Sequence, residues 1–311
     1  MLSKKVVVRL LILISAFIMI IPVSAQNNDD AETEIIERVT LALNNLEDAE
    51  SYRYQIIDST DLTLSTEAFG QALHINQAEN TSISGSIIRE NEEIRVAVRG
   101  LYESYANSAD LDEEANTGLI DFEMVRLDAD TYLLVTASNG SIDVPRFVPD
   151  GWFLLSQDFP LITELTIIPT LGMSDILPLA DAISINQRDT IITEDGQSVI
   201  PYTFEFDGSI LPIIEFDQIL QGFSEDLFGD SADEFIDAFV NSLHIKLSIL
   251  IHEESGELYA ISQAISSNFF FEIEVDGFAV PVNIGLYDVE SSWYTDFNDS
   301  ITIIAPDISG N

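Results

Sequence analysis

The chain contains no cysteine. That excludes a disulfide framework, thiol catalysis and thiolate metal sites, and with them the acylated cysteine that anchors an exported lipoprotein. Basic residues are nearly as scarce. Twelve lysines and arginines stand against 54 acidic residues in 311, a formal net charge of −42 at pH 7. Lys4, Lys5 and Arg9 belong to the extreme N-terminus, so Lys246 is the one lysine of the remaining chain. So acidic a surface repels DNA, RNA and anionic membranes and argues against nucleic-acid binding. It also keeps a protein soluble and suits high external salt, which screens self-repulsion.

Catalytic signatures are missing too. Histidine occurs only at 74, 244 and 252. His244 and His252 share a face of one expected strand without being adjacent, and no third ligand stands at a zinc spacing. There is no G-x-S-x-G, S-x-x-K or H-E-x-x-H, and no glycine loop of the phosphate-cradling kind. Paired carboxylates, the requirement of glycosidase chemistry, are so abundant that none stands out. The loop at 107–118 alternates Asp110, Asp112 and Glu114, but it lacks the glycine and the bidentate glutamate of a calcium loop and reads as a solvated turn. The expectation is a protein that is not an enzyme and holds neither cofactor nor metal.

Hydrophobic residues make up 46% of the chain and recur with clear periods, which excludes disorder. At the start, Lys4, Lys5 and Arg9 precede or interrupt an apolar run over 6–21, and Pro22-Val-Ser-Ala25 follows. This predicts a secretory signal peptide over 1–25, with an uncleaved anchor as the alternative, and places 26–311 outside the cytoplasm as one domain that is not lipid-anchored. No later run is long and apolar enough to predict a transmembrane helix.

The stretch 31–66 organises the rest. Ile35, Ile36, Val39, Ala42, Leu43, Leu46 and Ala49 follow the helical period. Tyr52, Tyr54, Ile56, Leu62 and Leu64 then alternate with polar residues as in a half-buried strand. Strands are predicted at 71–75, 82–89, 94–105, 119–127, 131–137, 151–156, 184–192, 199–206, 245–252, 258–266, 269–275, 279–287, 293–297 and 301–304. Two apolar helical inserts interrupt them. One is 159–183, broken by Pro160, Pro169 and Pro178 and read as short helices or a flap. The other spans 209–243. The fold class is therefore α+β: a strongly curved antiparallel half-barrel of about eleven strands with helices covering its concave face.

Several short pieces, in order, resemble the LppX/LprG-type lipoprotein family, which shares the wider LolA/LolB lipoprotein-carrier fold. They are Leu43 with Asn45-Leu46 and Ser51-Tyr52-Arg53-Tyr54; Tyr132 and Gly151-Trp152; Gly196-Gln197 before Pro201-Tyr-Thr-Phe204; Leu247-Ser-Ile-Leu-Ile251 and Glu257-Leu258; and Tyr294-Thr-Asp-Phe297 with Ile301-Thr-Ile-Ile-Ala-Pro306. The resemblance implies a curved sheet capped by helices around an apolar cavity that binds lipids or acylated molecules, with no catalytic residues. This chain departs from the family in lacking the anchor cysteine, which favours a diffusible carrier.

The expected function is a secreted binder or carrier of lipids or acylated molecules. The expected cavity lining is Ile35, Val39, Leu43, Leu46, Tyr54, Trp152, Phe153, Ile167, Leu171, Ile176, Leu179, Phe235 and Phe239, unless these side chains only complete the core. The alternative is an extracytoplasmic interaction or sensor domain of the RseB kind, with a membrane or envelope protein as partner. A secreted hydrolase would instead require a polar cleft with converged carboxylates of raised pKa.

Overall fold

Alternation of period two dominates the chain, and it builds a single antiparallel sheet. The computed structural model describes residues 30–68, 71–90, 93–108, 116–127, 130–140, 151–154, 184–208, 231–275 and 278–308. The strands are β1 (Ser51–Ala68), β2 (Gln71–Glu90), β3 (Glu93–Ser108), β4 (Asn116–Leu127), β5 (Asp130–Gly140), β6 (Phe153–Leu154), β7 (Ser184–Gln187), β8 (Ile191–Ile192), β9 (Ser198–Asp207), β10 (His244–His252), β11 (Leu258–Val275) and β12 (Phe278–Thr295). Their order is β6-β5-β4-β3-β2-β1-β12-β11-β10-β9-β7, with β8 beside β9. Two meanders, β1 to β6 and β9 to β12, are thus joined by one long-range pairing. Arg53 opposes Thr295 and Thr66 opposes Val282.

Several strands are longer than the apolar pattern predicts. Segments 71–75 and 82–89 belong to one 20-residue strand. Likewise β11 runs through 258–275 and β12 through 278–295. The polar stretch between the two expected halves of β2 stays in register, with Asn76 opposite both Thr63 and Asn107. Backbone pairing needs no apolar side chain. The expected strand at 301–304 does not form. The chain instead turns at Asp296 and Asn298, both with φ near +57°.

That turn fastens the start of the sheet. Asn298 N–H donates to Ser51 O at 2.8 Å, and its Oδ1 accepts from Glu50 N–H at 2.8 Å. Arg53 pairs with Asp296 at 2.8 Å.

Helix α1 (Asp30–Asp48) buries Ile36, Val39, Ala42, Leu43 and Leu46, the expected stripe. Arg89 of β2 closes its C-terminal end, donating to Leu46 O at 3.1 Å and Ala49 O at 3.0 Å, where free carbonyls and the dipole favour a cation. Helix α2 (Ala232–Ser242) inserts Phe235 and Phe239. Phe235 meets Phe269 and Phe271 edge-on, both with ring centroids 5.5 Å away.

The expected half-barrel with helices covering its concave face is not what forms. The structure is an open curved sheet, and among the described residues there are two helices, which do not cover a concave face. Helix α1 meets β7, β10 and β11, and α2 meets β9 and β11. The reason is one of size. A strand of 18 to 20 residues reaches about 60 Å at ~3.3 Å per residue, whereas helices of 19 and 11 residues span roughly 28 and 16 Å. The flap segment 159–183 and positions 209–230 of the second insert lie outside the described residues.

Candidate functional site

Register decides which side chains meet, and it produces two features that the sequence does not announce. The first crosses the core face. In one row stand Tyr102 of β3, Thr81 of β2, Asp58 of β1, Glu290 of β12 and Gln263 of β11. The neighbouring row holds Ser104, Glu79, Thr60, Asp288 and Ile265. Apolar layers flank this belt: Ile56, Ile83 and Ile261 on one side, Leu62 and Leu286 on the other.

Thr60 Oγ1 donates to Asp288 Oδ1 at 2.5 Å, and Ser292 Oγ donates to Glu290 Oε1 at 3.4 Å. Asp58 Oδ1 is buried and accepts no hydrogen bond among the described residues. Burial, then the charges of Asp288, Glu290 and Glu79, push the Asp58 carboxyl up to about 8. Burial and then Asp288 raise Glu290 to about 7. Burial also raises Asp288, against the bonds from Thr60 and Asp58. Burial raises the Tyr102 phenol, and its bond to Glu79 adds to the shift. Desolvation penalises the charged form, so Asp58 and Glu290 hold protons near neutrality. These carboxyls converge on the core face, and none of them lines either of two cavities, one beside Asn45, Asp48 and Asn298 and the other on the opposite side of the sheet.

The second feature lies on the opposite face. A trough of about 600 Å³ crosses the outer side of β12, β1, β2, β3 and β4. One row of its floor is Trp293, Gln55, Ser84, Arg99 and Glu123, and the next is Thr295, Arg53, Ser86, Ala97 and Val125. Trp152, just before β6, also lines it. Between the rows, Tyr54 turns to the core face and lies over Gly85. A Cβ at Gly85 would stand 2.5 Å from the Tyr54 ring, so only glycine fits beneath it.

No family model matches this chain. No curated protein matches it either. Among solved structures it has distant neighbours. A DUF1329 family protein from Desulfovibrio piger ATCC 29098 is 7% identical at TM-score 0.21, over 88% of this chain and 95% of that one. A beta-barrel-like DUF1849 protein from Brucella abortus is 10% identical at TM-score 0.17, over 80% and 100%. Pseudomonas aeruginosa OccK7 (OpdD) is 6% identical at TM-score 0.21, over 79% and 99%. Likeness this remote leaves function to the chain's own geometry.

The residues expected to line a cavity are divided by the structure. Val39, Leu43 and Leu46 are fully buried in α1, with Ile35 partly buried beside them. Phe235 and Phe239 sit in the aromatic cluster of α2. Tyr54 and Phe153 pack against the core from β1 and β6. Trp152 lines the outer trough instead. Ile167, Leu171, Ile176 and Leu179 lie outside the described residues. Among the described residues, no group of three His, Asp or Glu side chains could hold a metal ion, and no helix is long and apolar enough to cross a membrane.

The belt left a trace in the sequence. Asp58, Asp288 and Glu290 occupy positions that alternation assigns to the apolar face, between Ile56 and Leu62 and between Leu286 and Tyr294. The trough left less, because its rows are assembled from five strands.

Proposed function

We propose that the protein is a secreted, non-enzymatic binder of lipids or acylated molecules, held against the core face of the sheet. The supporting observation is the extent of that face. Apolar side chains continue from the helix-packed strands across β1 to β5, through Ile83, Ile87, Val98, Phe122, Met124 and Leu133. Those side chains are all buried, although the described helices make their main contacts elsewhere, on β7 and β9–β11. A long acyl chain suits an extended apolar face, since each buried methylene contributes about 0.8 kcal/mol. The sequence resemblance to LppX/LprG-type carriers agrees with this reading, and the missing anchor cysteine favours a diffusible form.

Detergent-free purification followed by native mass spectrometry and organic extraction tests the proposal. The expected result is a bound mass that extracts as lipid, or uptake of added fatty acid or phospholipid. A ligand-free mass that refuses both would overturn it and favour a domain that binds an envelope protein.

A further inference from the structure

The outer trough brings aromatic and basic side chains together on an acidic molecule. Both tryptophans of the chain, Trp152 and Trp293, line it, each only partly exposed. Two arginines of a chain with twelve basic residues approach it from β1 and β3. Arg53 is paired with Asp296. Arg99 is exposed and has no ion-pair partner among the described residues, although Glu123 opposes it in register. Gln55 and Ser84 add an exposed amide and an exposed hydroxyl in the same row.

We propose that this trough binds an acidic saccharide, a pyranose that carries a carboxylate. Indole faces supply broad, rigid contact for the C–H face of a sugar ring. A planar guanidinium takes a carboxylate through two parallel hydrogen bonds, which a lysine cannot reproduce. Ring hydroxyls both donate and accept, and they match Gln55, Ser84 and the carboxylate of Glu123. The volume falls within the range of ordinary small-ligand sites. A carboxylate carries one negative charge to the site. A phosphate dianion would meet Glu123 and the acidic surface with about twice the repulsion, because Coulomb energy scales with charge. This site is independent of the core-face lipid reading, since it lies on the other side of the sheet.

Because both tryptophans lie in the trough, intrinsic tryptophan emission reports on it directly. The full chain is titrated with the methyl glycoside of galacturonate, which carries a single carboxylate, and, separately, with the neutral methyl galactoside. A saturable emission change is expected with the uronate, and at least tenfold weaker binding of the neutral sugar. Arg99→Ala should weaken the uronate tenfold or more, with Arg99→Lys recovering only part. The exposed position of Arg99 leaves the fold intact, and far-UV circular dichroism verifies this. No saturable change with the uronate would overturn the proposal. So would equal binding of the neutral sugar, or an Arg99→Ala titration identical to that of the parent. Extracted lipid mass is a separate readout, so either reading can fail without the other.

Discussion

Asp58 stands where alternation places an apolar side chain, and the consequence is a pH dependence of stability. Its carboxyl is pushed up to about 8 by burial and by neighbouring carboxylates, and that of Glu290 to about 7. In the unfolded chain both titrate near ~4. Between those values the folded state holds protons that the unfolded state has released, so stability falls as pH rises from about 4 to 8. Thermal melts are expected to show a higher Tm at pH 5.5 than at pH 9. Asp58→Asn should leave the pH 5.5 melt nearly unchanged, because the parent carboxyl is already protonated there, and should raise Tm at pH 9. An equal gain at both pH values would refute the assignment. At this scale the polarity of the belt was legible as acids in apolar positions. Its assembly was not, because Thr60 and Asp288, which share a hydrogen bond, are 228 positions apart. Gly85 was equally silent, since only the register reveals the Tyr54 ring above it.

Helix α1 was the most legible element, because its stripe, from Ile35 to Ala49, repeats at the helical period over about four turns. Its C-terminal closure was not legible, since Arg89 comes from a strand more than forty positions later in the chain. Arg89→Ala removes two charge-assisted bonds and is expected to cost about 1.5–3 kcal/mol. Denaturant titration gives that figure, and hydrogen exchange should speed up most in the last turn of α1. Helix α2 depends on packing instead. Phe235→Ala is expected to cost about 3–5 kcal/mol, whereas Leu41→Ala, on an α1 side chain that is 60% exposed, should stay within about 0.5 kcal/mol in the same titration. The strands were found in pieces, because apolar alternation reports which stretches are half-buried. It does not report where the hydrogen-bonded ladder continues through Asn76 to Asn80 with polar side chains on both faces.

For the whole molecule, a net charge of −42 sets a background of self-repulsion. Salt shortens its range. Tm at pH 9 is therefore expected to rise as sodium chloride increases from 0.05 to 1 M, and the difference between parent and Asp58→Asn should shrink far less, since buried charges are weakly screened. No change of Tm with salt would refute the surface contribution. Fold class was legible as far as one extended antiparallel sheet. The coverage of its face was not, because helix placement depends on the full length of the strands.

The junction between the two meanders governs the order in which the molecule can be completed. A ribosome delivers β1 early and β12 last, yet these two strands are partners over fourteen opposed positions. Until the final strand appears, β1 presents an unpaired edge of 18 residues. Loop closure across such a separation slows folding, and an open edge invites pairing with other chains. Arg53, Asp58, Asp61 and Glu67 punctuate that edge with charge. The acidity of the chain therefore acts before the native state exists, as a guard against intermolecular pairing while β1 waits.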